Sequence, residues 1–200
     1  MEKVTIGYAM CGSYCTFDKA VTQMEILKNM GYDILPIMSE NASSVDTRFG
    51  KCKDFINMVE NISGKKVINT IKEAEPIGPK KLCDLILISP CTGNTLAKLT
   101  GGITDTAVTM AAKSHLRILR PVLIALSTND ALGATAKNIG YMLNRKHIYF
   151  VPMKQDDHIK KPNSLVADFS MIPQSVEMAL KNQNFCFESN NVILENILLL

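Results

Sequence analysis

Three predominantly apolar stretches dominate the hydropathy pattern of the chain, at residues 4–10, 83–89 and 121–126. None of them alternates apolar with polar positions, which is the pattern of buried parallel strands covered by helices on both faces. Shorter strand patterns lie at residues 33–38, 66–71 and 147–152. Pro36 predicts that the strand at 33–38 lies at a sheet edge or a strand end, because proline donates no ladder hydrogen bond.

Apolar residues recur at helical spacing between these strands. Phe17, Val21, Met24 and Leu27 form one apolar stripe, in a helix that we expect to begin near Thr16 and to end at Gly31. Further helices are predicted at residues 55–64, 94–99, 105–116, 131–143 and 172–180. Strands that alternate with helices predict a doubly wound parallel α/β sheet, a three-layer α/β/α fold of the Rossmann or flavodoxin-like kind.

The chain is predicted to divide at the end of the last of these strands. Residues 1–152 form the α/β domain, and the sequence then becomes polar. We expect residues 153–200 to form an arm and a helix that pack on the same domain. The apolar residues at 190–200 favour a terminal element docked on the domain, with a partner surface as the alternative.

Composition places the chain among single-domain globular proteins, with 200 residues, 46% apolar and 20% charged, and a net charge of +3. Its lysines are spread along the sequence without a basic block, so nucleic acid is not an expected partner. No apolar run reaches the roughly 18 residues of a membrane span, so a membrane is not expected either. Six cysteines without zinc-ligand spacing favour reduced thiols, a cytoplasmic protein and no metal site.

Polar residues follow four of the predicted strands, at the strand ends where ligands bind in open α/β sheets. The candidate cofactor-binding residues are Gly12, Ser13, Ser39, Thr92, Asn94, Thr95 and Thr128. They offer hydroxyl, amide and backbone N–H groups without a carboxylate cluster, so they suit a phosphate-bearing, mononucleotide-like ligand rather than a divalent metal. The dinucleotide and phosphate-loop motifs are both missing. For residues 90–98 alone, an ordinary capped helix is the alternative interpretation.

The sequence leaves the catalytic residues unknown. Cys91 suits a nucleophile only if its pKa is lowered, and a packed, buried thiol is the favoured interpretation. His158 is either an acid–base group or a solvated histidine. Lys161, Asn163 and Ser164 are candidate substrate-binding residues for a dicarboxylate, because ammonium and amide groups bind carboxylates, and plain surface charge is the equal alternative.

One segment of the chain carries a family resemblance. It reads Pro90-Cys91-Thr92-Gly93-Asn94-Thr95-Leu96-Ala97-Lys98, followed by Gly102-Ile103 and Asp105. This segment resembles the signature of the flavoprotein family that contains cysteine decarboxylases and flavin prenyltransferases, and Gly12-Ser13 and Ser39 match that family's phosphate contacts. The resemblance covers roughly residues 1–150 and implies FMN as cofactor and a homo-oligomer.

Within this family the chain resembles one subunit of a two-subunit oxidoreductase of spore-forming bacteria. The resemblance is carried by Cys-Gly-Ser-Tyr-Cys-Thr-Phe from Cys11, Thr-Asn-Asp-Ala-Leu-Gly from Thr128, and Lys-Pro-Asn-Ser-Leu-Val-Ala-Asp from Lys161. It implies conversion of hydroxytetrahydrodipicolinate to pyridine-2,6-dicarboxylate during sporulation, in the cytoplasm of the mother cell. The partner implied is an A subunit, which would bind NADP.

Two other classes of function stay open, a stand-alone FMN-dependent decarboxylase or flavin prenyltransferase, and a non-catalytic flavin- or nucleotide-binding subunit. The decarboxylases use a histidine near the second helix and a cysteine in a C-terminal flap. This chain has no histidine between residues 39 and 67 and no flap motif around Cys186. The prenyltransferases place an arginine after the fifth strand, where this chain has Ser127-Thr128-Asn129. These departures argue against both sister activities.

Overall fold

The fold is built on one seven-stranded sheet, seen in a computed structural model that describes residues 3–184. The strands are β1 (Thr5–Met10), β2 (Asp33–Met38), β3 (Leu85–Cys91), β4 (Val122–Thr128), β5 (Ile148–Phe150), β6 (Met153–Asp157) and β7 (Lys161–Ala167). Their order is β2-β1-β3-β4-β7-β6, and β5 pairs with β4. β1 to β5 pair in parallel, as predicted for a doubly wound sheet, while β6 and β7 form an antiparallel hairpin.

Eight α-helices accompany the sheet within the described part of the chain. They are α1 (Phe17–Asn29), α2 (Glu40–Ser44), α3 (Cys52–Ser63), α4 (Ile71–Ala74), α5 (Gly93–Thr100), α6 (Ala107–Leu116), α7 (Ala136–Leu143) and α8 (Ile172–Leu180). None of the helices in residues 3–184 is long and apolar enough to cross a membrane.

The two faces of the sheet bury two separate hydrophobic cores. On one face, Phe17 of α1 packs edge-on against Phe55 of α3, with ring centroids 5.0 Å apart, and α8 completes this layer. On the other face, α5 and α6 cover β3 and β4. Residues of β3 are buried along its whole length, which explains its continuous apolar sequence.

Several predicted boundaries agree closely with the structure. The strand at 33–38 has those limits, and β2 is an edge of the sheet, which accommodates Pro36. The helix at 172–180 is also confirmed. β3 continues beyond the predicted end at residue 89 to Cys91, through an irregularity in its pairing with β4. The polar residues at 92–95 therefore start directly at the strand end.

Two predicted elements between residues 66 and 81 were wrong. Residues 66–71 make only one isolated bridge, Ile37 to Ile68, instead of a strand. The predicted loop after them contains α4 and a short 3-10 turn, because the Thr70 hydroxyl accepts the N–H of Glu73 and begins a helix. A local side-chain cap outweighed the helix-breaking prolines and glycine in this segment.

Two further predictions need correction on the carboxyl side of β4. The helix expected at 131–143 begins only at Ala136, since Asp130 accepts the N–H groups of Ala134 and Thr135 and holds the intervening residues in a turn. The polar arm at 153 is a β-hairpin, and β7 pairs with β4 at Ser127 and Thr128. The prediction for residues 190–200 lies outside the described residues.

Candidate functional site

An open cleft of about 590 Å³ lies beyond the carboxyl ends of β1, β2 and β3. Its walls come from the loop after β1, from α2 with the segment that follows it, and from α5 with the start of α6. The residues that line the cleft are Cys11, Gly12, Tyr14, Ser39, Glu40, Asn41, Val45, Thr92, Asn94, Thr95, Lys98, Asp105 and Thr106. The cleft thus contains five of the predicted cofactor-binding residues, which the sequence separates by more than 80 positions.

The N-terminus of α5 forms the polar wall of the cleft. Thr92 is the N-cap of α5, and its hydroxyl oxygen accepts the N–H of Thr95 at 3.1 Å while donating to the Thr95 hydroxyl. The N–H groups of Gly93 and Asn94 have no intrahelical acceptor, as in the first turn of any α-helix. The Asn94 side chain is exposed and makes no hydrogen bond within residues 3–184. Its amide is therefore available to a ligand.

Gly93 fixes how closely α5 approaches β4. A Cβ at this position would lie 2.8 Å from the Thr128 hydroxyl oxygen and 3.0 Å from that of Thr135. Only a residue without a side chain allows this approach without displacing its neighbours. The close packing sets the position of the Asn94 amide at the mouth of the cleft.

The loop after β1 divides its polar groups between the cleft and the sheet. Gly12 lines the cleft, whereas Ser13 does not. The Ser13 hydroxyl donates to the hydroxyl of Ser127 at 3.3 Å and accepts from that of Thr16. Ser13 thereby ties the β1 loop to the end of β4, directly beside the cleft.

Ser39 and Tyr14 form the opposite wall. Ser39 is buried and caps α2 by accepting the N–H of Ala42 at 3.3 Å, so its own hydroxyl hydrogen is free to point elsewhere. The Tyr14 hydroxyl donates to the carbonyl of Asn41 at 2.6 Å, and its ring lies 5.1 Å from that of Phe17. The Tyr14 ring is thus held against the N-terminus of α2, which Ser39 caps.

One ion pair lies in the cleft. The Lys98 ammonium donates to both carboxylate oxygens of Asp105, at 2.9 and 2.8 Å. The hydrogen bond from Lys98 lowers the pKa of the Asp105 carboxyl, and the positive charge of Lys98 adds to the fall, although partial desolvation opposes both. The pair connects α5 to the residue that precedes the N-cap of α6.

Two buried thiols in and beside the cleft are protonated at neutral pH. Burial raises the pKa of Cys11 to about 11, against the opposing effects of hydrogen bonds from Thr95 and Thr92 and the charge of Lys98. Burial also raises the pKa of Cys91 well above its ordinary value, and the nearby Cys11 adds to the rise. Cys91 is completely buried and does not line the cleft. These observations support packing over nucleophilic chemistry for Cys91.

Thr128 lies outside this cleft, in a neighbouring open depression between α5 and α7. Its hydroxyl accepts the N–H of Asp130 at 3.4 Å, and Asn94 lines both the depression and the cleft. Thr128 is thus adjacent to the other candidates through Asn94 and does not share a wall with Ser39.

The three candidate substrate-binding residues lie on the β6–β7 hairpin and do not line the cleft. Lys161 pairs with Asp156 at 2.6 Å, which raises the pKa of the lysine. The carbonyl of Asn163 accepts the N–H of Leu132 at 3.0 Å. Ser164 is fully buried, and its hydroxyl donates to the side-chain oxygen of Asn129 at 3.4 Å. His158, in the turn of this hairpin, is exposed.

Sequence reasoning missed several residues of the cleft as site residues, namely Tyr14, Glu40, Asn41, Lys98 and Asp105. Lys98 had a detectable signal, since it follows Asn94 by four positions and therefore shares its helix face. Tyr14 and Asn41 had none, because only the tertiary structure brings the β1 loop against α2.

The donor set of the cleft suits the phosphate and polar chain of FMN. It combines free N–H groups of a helix N-terminus, hydroxyls at two helix caps and the free amide of Asn94. Within residues 3–184 no three metal-ligating side chains come together. The residues present therefore fit a phosphate-bearing organic cofactor.

Comparison with known proteins gives a consistent result. A family model described as "Flavoprotein" matches residues 1–171. The chain is 42% identical over 178 residues to the B subunit of dipicolinate synthase from Bacillus subtilis, covering 89% of each chain. The crystal structure of the B subunit of dipicolinate synthase from Bacillus halodurans is similar, with a TM-score of 0.84 and 37% identity, over 92% of this chain and 96% of that one. The FMN-dependent cysteine decarboxylase SpaF shares the fold, with a TM-score of 0.66 and 22% identity, over 88% and 97% of the two chains.

Proposed function

The chain belongs to the flavoprotein family, and on that basis we propose that it is the B subunit of a dipicolinate synthase. Its task is to convert hydroxytetrahydrodipicolinate to pyridine-2,6-dicarboxylate, together with an A subunit that binds NADP. The support is the 42% identity to the Bacillus subtilis B subunit over 89% of both chains. The overall change removes water and two hydrogens from the ring, so one partner must accept hydride.

We propose the cleft as the cofactor site, with FMN as the bound molecule. Gly12, Ser39 and the first turn of α5 hold the phosphate and polar chain, and Asn94 contacts the part of the ligand nearest α5. Ser13 and Thr128 flank the site and hold its walls in place. When bound, FMN supplies a ring that accepts and returns hydride.

The substrate is proposed to reach the site from the side of the hairpin. Lys161, Asn163 and Ser164 lie on β7, whose pairing with Ser127 and Thr128 puts the hairpin next to the depression bordered by Asn94. Lys161 supplies the positive charge and Asn163 the amide that a dicarboxylate requires. We further propose a cytoplasmic homo-oligomer.

The second candidate function is a non-catalytic flavin-binding subunit. Two observations favour it. The cleft residues in the described part of the chain include no histidine, and the thiol of Cys11 in the cleft is held protonated. In that case the chain organises the complex and the A subunit performs all proton and hydride transfer. Stand-alone decarboxylase or prenyltransferase activity has no such support.

The free amide of Asn94 in the cleft directs the test of the proposal. Purified chain, the A subunit, NADP and hydroxytetrahydrodipicolinate are mixed, and pyridine-2,6-dicarboxylate is followed by its ultraviolet absorbance. We expect synthesis at full rate only when both subunits are present, and a loss of about tenfold or more with Asn94→Ala. Asn29→Ala, an exposed asparagine at the end of α1, is the matched control.

Two results separate the candidates. Full synthesis by the A subunit alone contradicts a chemical role for this chain. Normal assembly with the A subunit but lost synthesis in Asn94→Ala supports the chemical role over the organising one. The visible spectrum of the chain with added FMN checks the cofactor independently.

A further inference from the structure

The charged side chains of the cleft are unevenly distributed. Among the described residues that line it, Lys98 is the only cation, accompanied by Glu40 and Asp105. An anionic ligand in this cleft therefore meets one positive side chain. The other lysine considered for anion binding, Lys161, is paired with Asp156 on the hairpin and is absent from the cleft walls.

The ion pair leaves Lys98 with unused binding capacity. An ammonium group has three N–H donors, and Lys98 uses two of them on the oxygens of Asp105. The third has no acceptor within residues 3–184. The Lys98 side chain is 24% exposed against 54% for Asp105, so the lysine is the more enclosed partner.

Lys98 lies on the same face of α5 as Asn94. The two residues are four positions apart on α5, so their side chains lie one above the other on one face. The charge of Lys98 also reaches the thiol of Cys11 in the cleft wall, where it opposes the rise in the pKa of that thiol. Lys98 and Cys11 both line the cleft, and the partial burial of Lys98 is consistent with an ammonium group that faces it.

We infer that Lys98 is the charge-selecting residue of the cleft, binding an anionic oxygen of the ligand with its third N–H while Asp105 holds the ammonium in place. The inference rests on the proposed function of the cleft as a ligand site. The anionic oxygen belongs either to a carboxylate of the substrate or to the phosphate of FMN, and both make the same charge-assisted hydrogen bond.

A purely structural role gives a different prediction. If the pair only ties α5 to the start of α6, removal of either partner has the same effect on stability and on ligand binding. If Lys98 contacts the ligand, removal of Lys98 weakens binding. Asp105→Asn does not weaken it, because the amide oxygen still accepts a hydrogen bond from the ammonium and holds it in place, while a negative charge that attracts the ammonium away from the ligand is lost.

The experiment compares Lys98→Met, Lys98→Arg and Asp105→Asn in the full chain by isothermal titration calorimetry. FMN against riboflavin reports on a phosphate contact, and pyridine-2,6-dicarboxylate against pyridine reports on a carboxylate contact. We expect Lys98→Met to bind one of the two anionic ligands about tenfold or more weakly, with the neutral ligand unaffected and the salt dependence of binding reduced. Lys98→Arg should recover most of the affinity.

Lys66→Met is the control for the loss of an ion-paired lysine, since Lys66 pairs with Glu60 at 2.7 Å and does not line the cleft. Unchanged affinity of Lys98→Met for both anions overturns the inference, and so does equal weakening by Lys98→Met and Asp105→Asn. If the wild-type chain binds neither FMN nor pyridine-2,6-dicarboxylate, the result contradicts the proposed function, and the inference is then wrong as well.

Discussion

At the scale of single side chains, His115 is a histidine whose burial changes its protonation state. It is completely buried in α6, where backbone groups of Asp84 and Pro121 lie near its ring, but neither ring nitrogen makes a well-aligned hydrogen bond within residues 3–184. Burial lowers the pKa of His115 to about 4, and the charge of Arg120 adds to the fall. The imidazole is therefore neutral in the folded protein at every pH above that value.

This shift predicts a pH dependence of stability. Between pH 6.5 and 4 the unfolded chain binds a proton at His115 and the folded chain does not, so unfolding becomes easier as the pH falls. The free energy of unfolding has its full value above pH 6.5. We expect it to fall by up to about 3 kcal/mol between pH 6.5 and pH 4 because of His115. Urea denaturation across this range measures the loss. His115→Leu should flatten the curve, and an unchanged curve in this variant would assign the loss to other groups.

At the scale of elements, the contact between α5 and β4 decides the geometry of the cleft. It depends on Gly93, whose missing side chain leaves room for the hydroxyls of Thr128 and Thr135. α5 and its N-cap carry Thr92, Asn94, Thr95 and Lys98, so any displacement of this helix moves four residues of the cleft wall together. The positions of these side chains in the cleft are therefore set together by the position of α5.

Gly93→Ala should destabilise the fold by about 1–3 kcal/mol, since its Cβ would overlap the Thr128 hydroxyl. Gly140→Ala is the control within a helix, because a Cβ there meets nothing within 4 Å, and it should be stabilising. Urea midpoints measure both effects. Adding Thr128→Ala to Gly93→Ala should restore part of the stability, and strict additivity of the two changes would argue against the overlap.

The β6–β7 hairpin is expected to open locally, independently of the rest of the sheet. It joins the sheet at only two positions of β4, and most side chains of β6 are exposed. We expect its amides to exchange with solvent through local opening, while amides of β1 and β3 exchange only on global unfolding. Native-state hydrogen exchange with increasing denaturant tests this. Equal opening free energies for the hairpin and β3 would show that the hairpin unfolds with the core.

At the scale of the whole molecule, the cleft exists only when three distant segments are in place. The loop after β1, the start of α2 and the N-terminus of α5 meet because β1 lies between β2 and β3 in the sheet. Any ligand that bridges these segments binds the folded chain and not the unfolded one. Ligand binding should therefore stabilise the entire domain.

FMN at one hundred times its dissociation constant should raise the free energy of unfolding by about 2.7 kcal/mol. For a chain of this size the melting temperature should rise by roughly 5–10 °C, as measured by calorimetry. Asn94→Ala should require more FMN for the same rise, because the free amide is lost. A melting temperature that does not respond to saturating FMN would exclude flavin from the cleft.

The sequence by itself determined the α/β class, the parallel strands and the polar strand ends. Continuous apolar runs at β1, β3 and β4 are sufficient for this, because a strand buried on both faces must be apolar throughout. The cap Thr92 was also readable, since a capping hydroxyl acts on N–H groups two or three residues away. The capping of α2 by Ser39 was not predicted, because α2 itself was not. These signals are local, because each depends on residues that lie within a few positions of one another in the sequence.

The tertiary structure alone decided which strand ends share the cleft and which do not. It placed Ser39 opposite α5, turned Ser13 toward Ser127, put Thr128 in a neighbouring depression, and paired Lys98 with Asp105. It also folded the polar arm at 153–167 into a hairpin, whose exposed strands lack the apolar pattern of a buried strand. The physical reason is that such contacts depend on strand order and on the close approach of α5 to β4, which are fixed by packing between residues far apart in the chain.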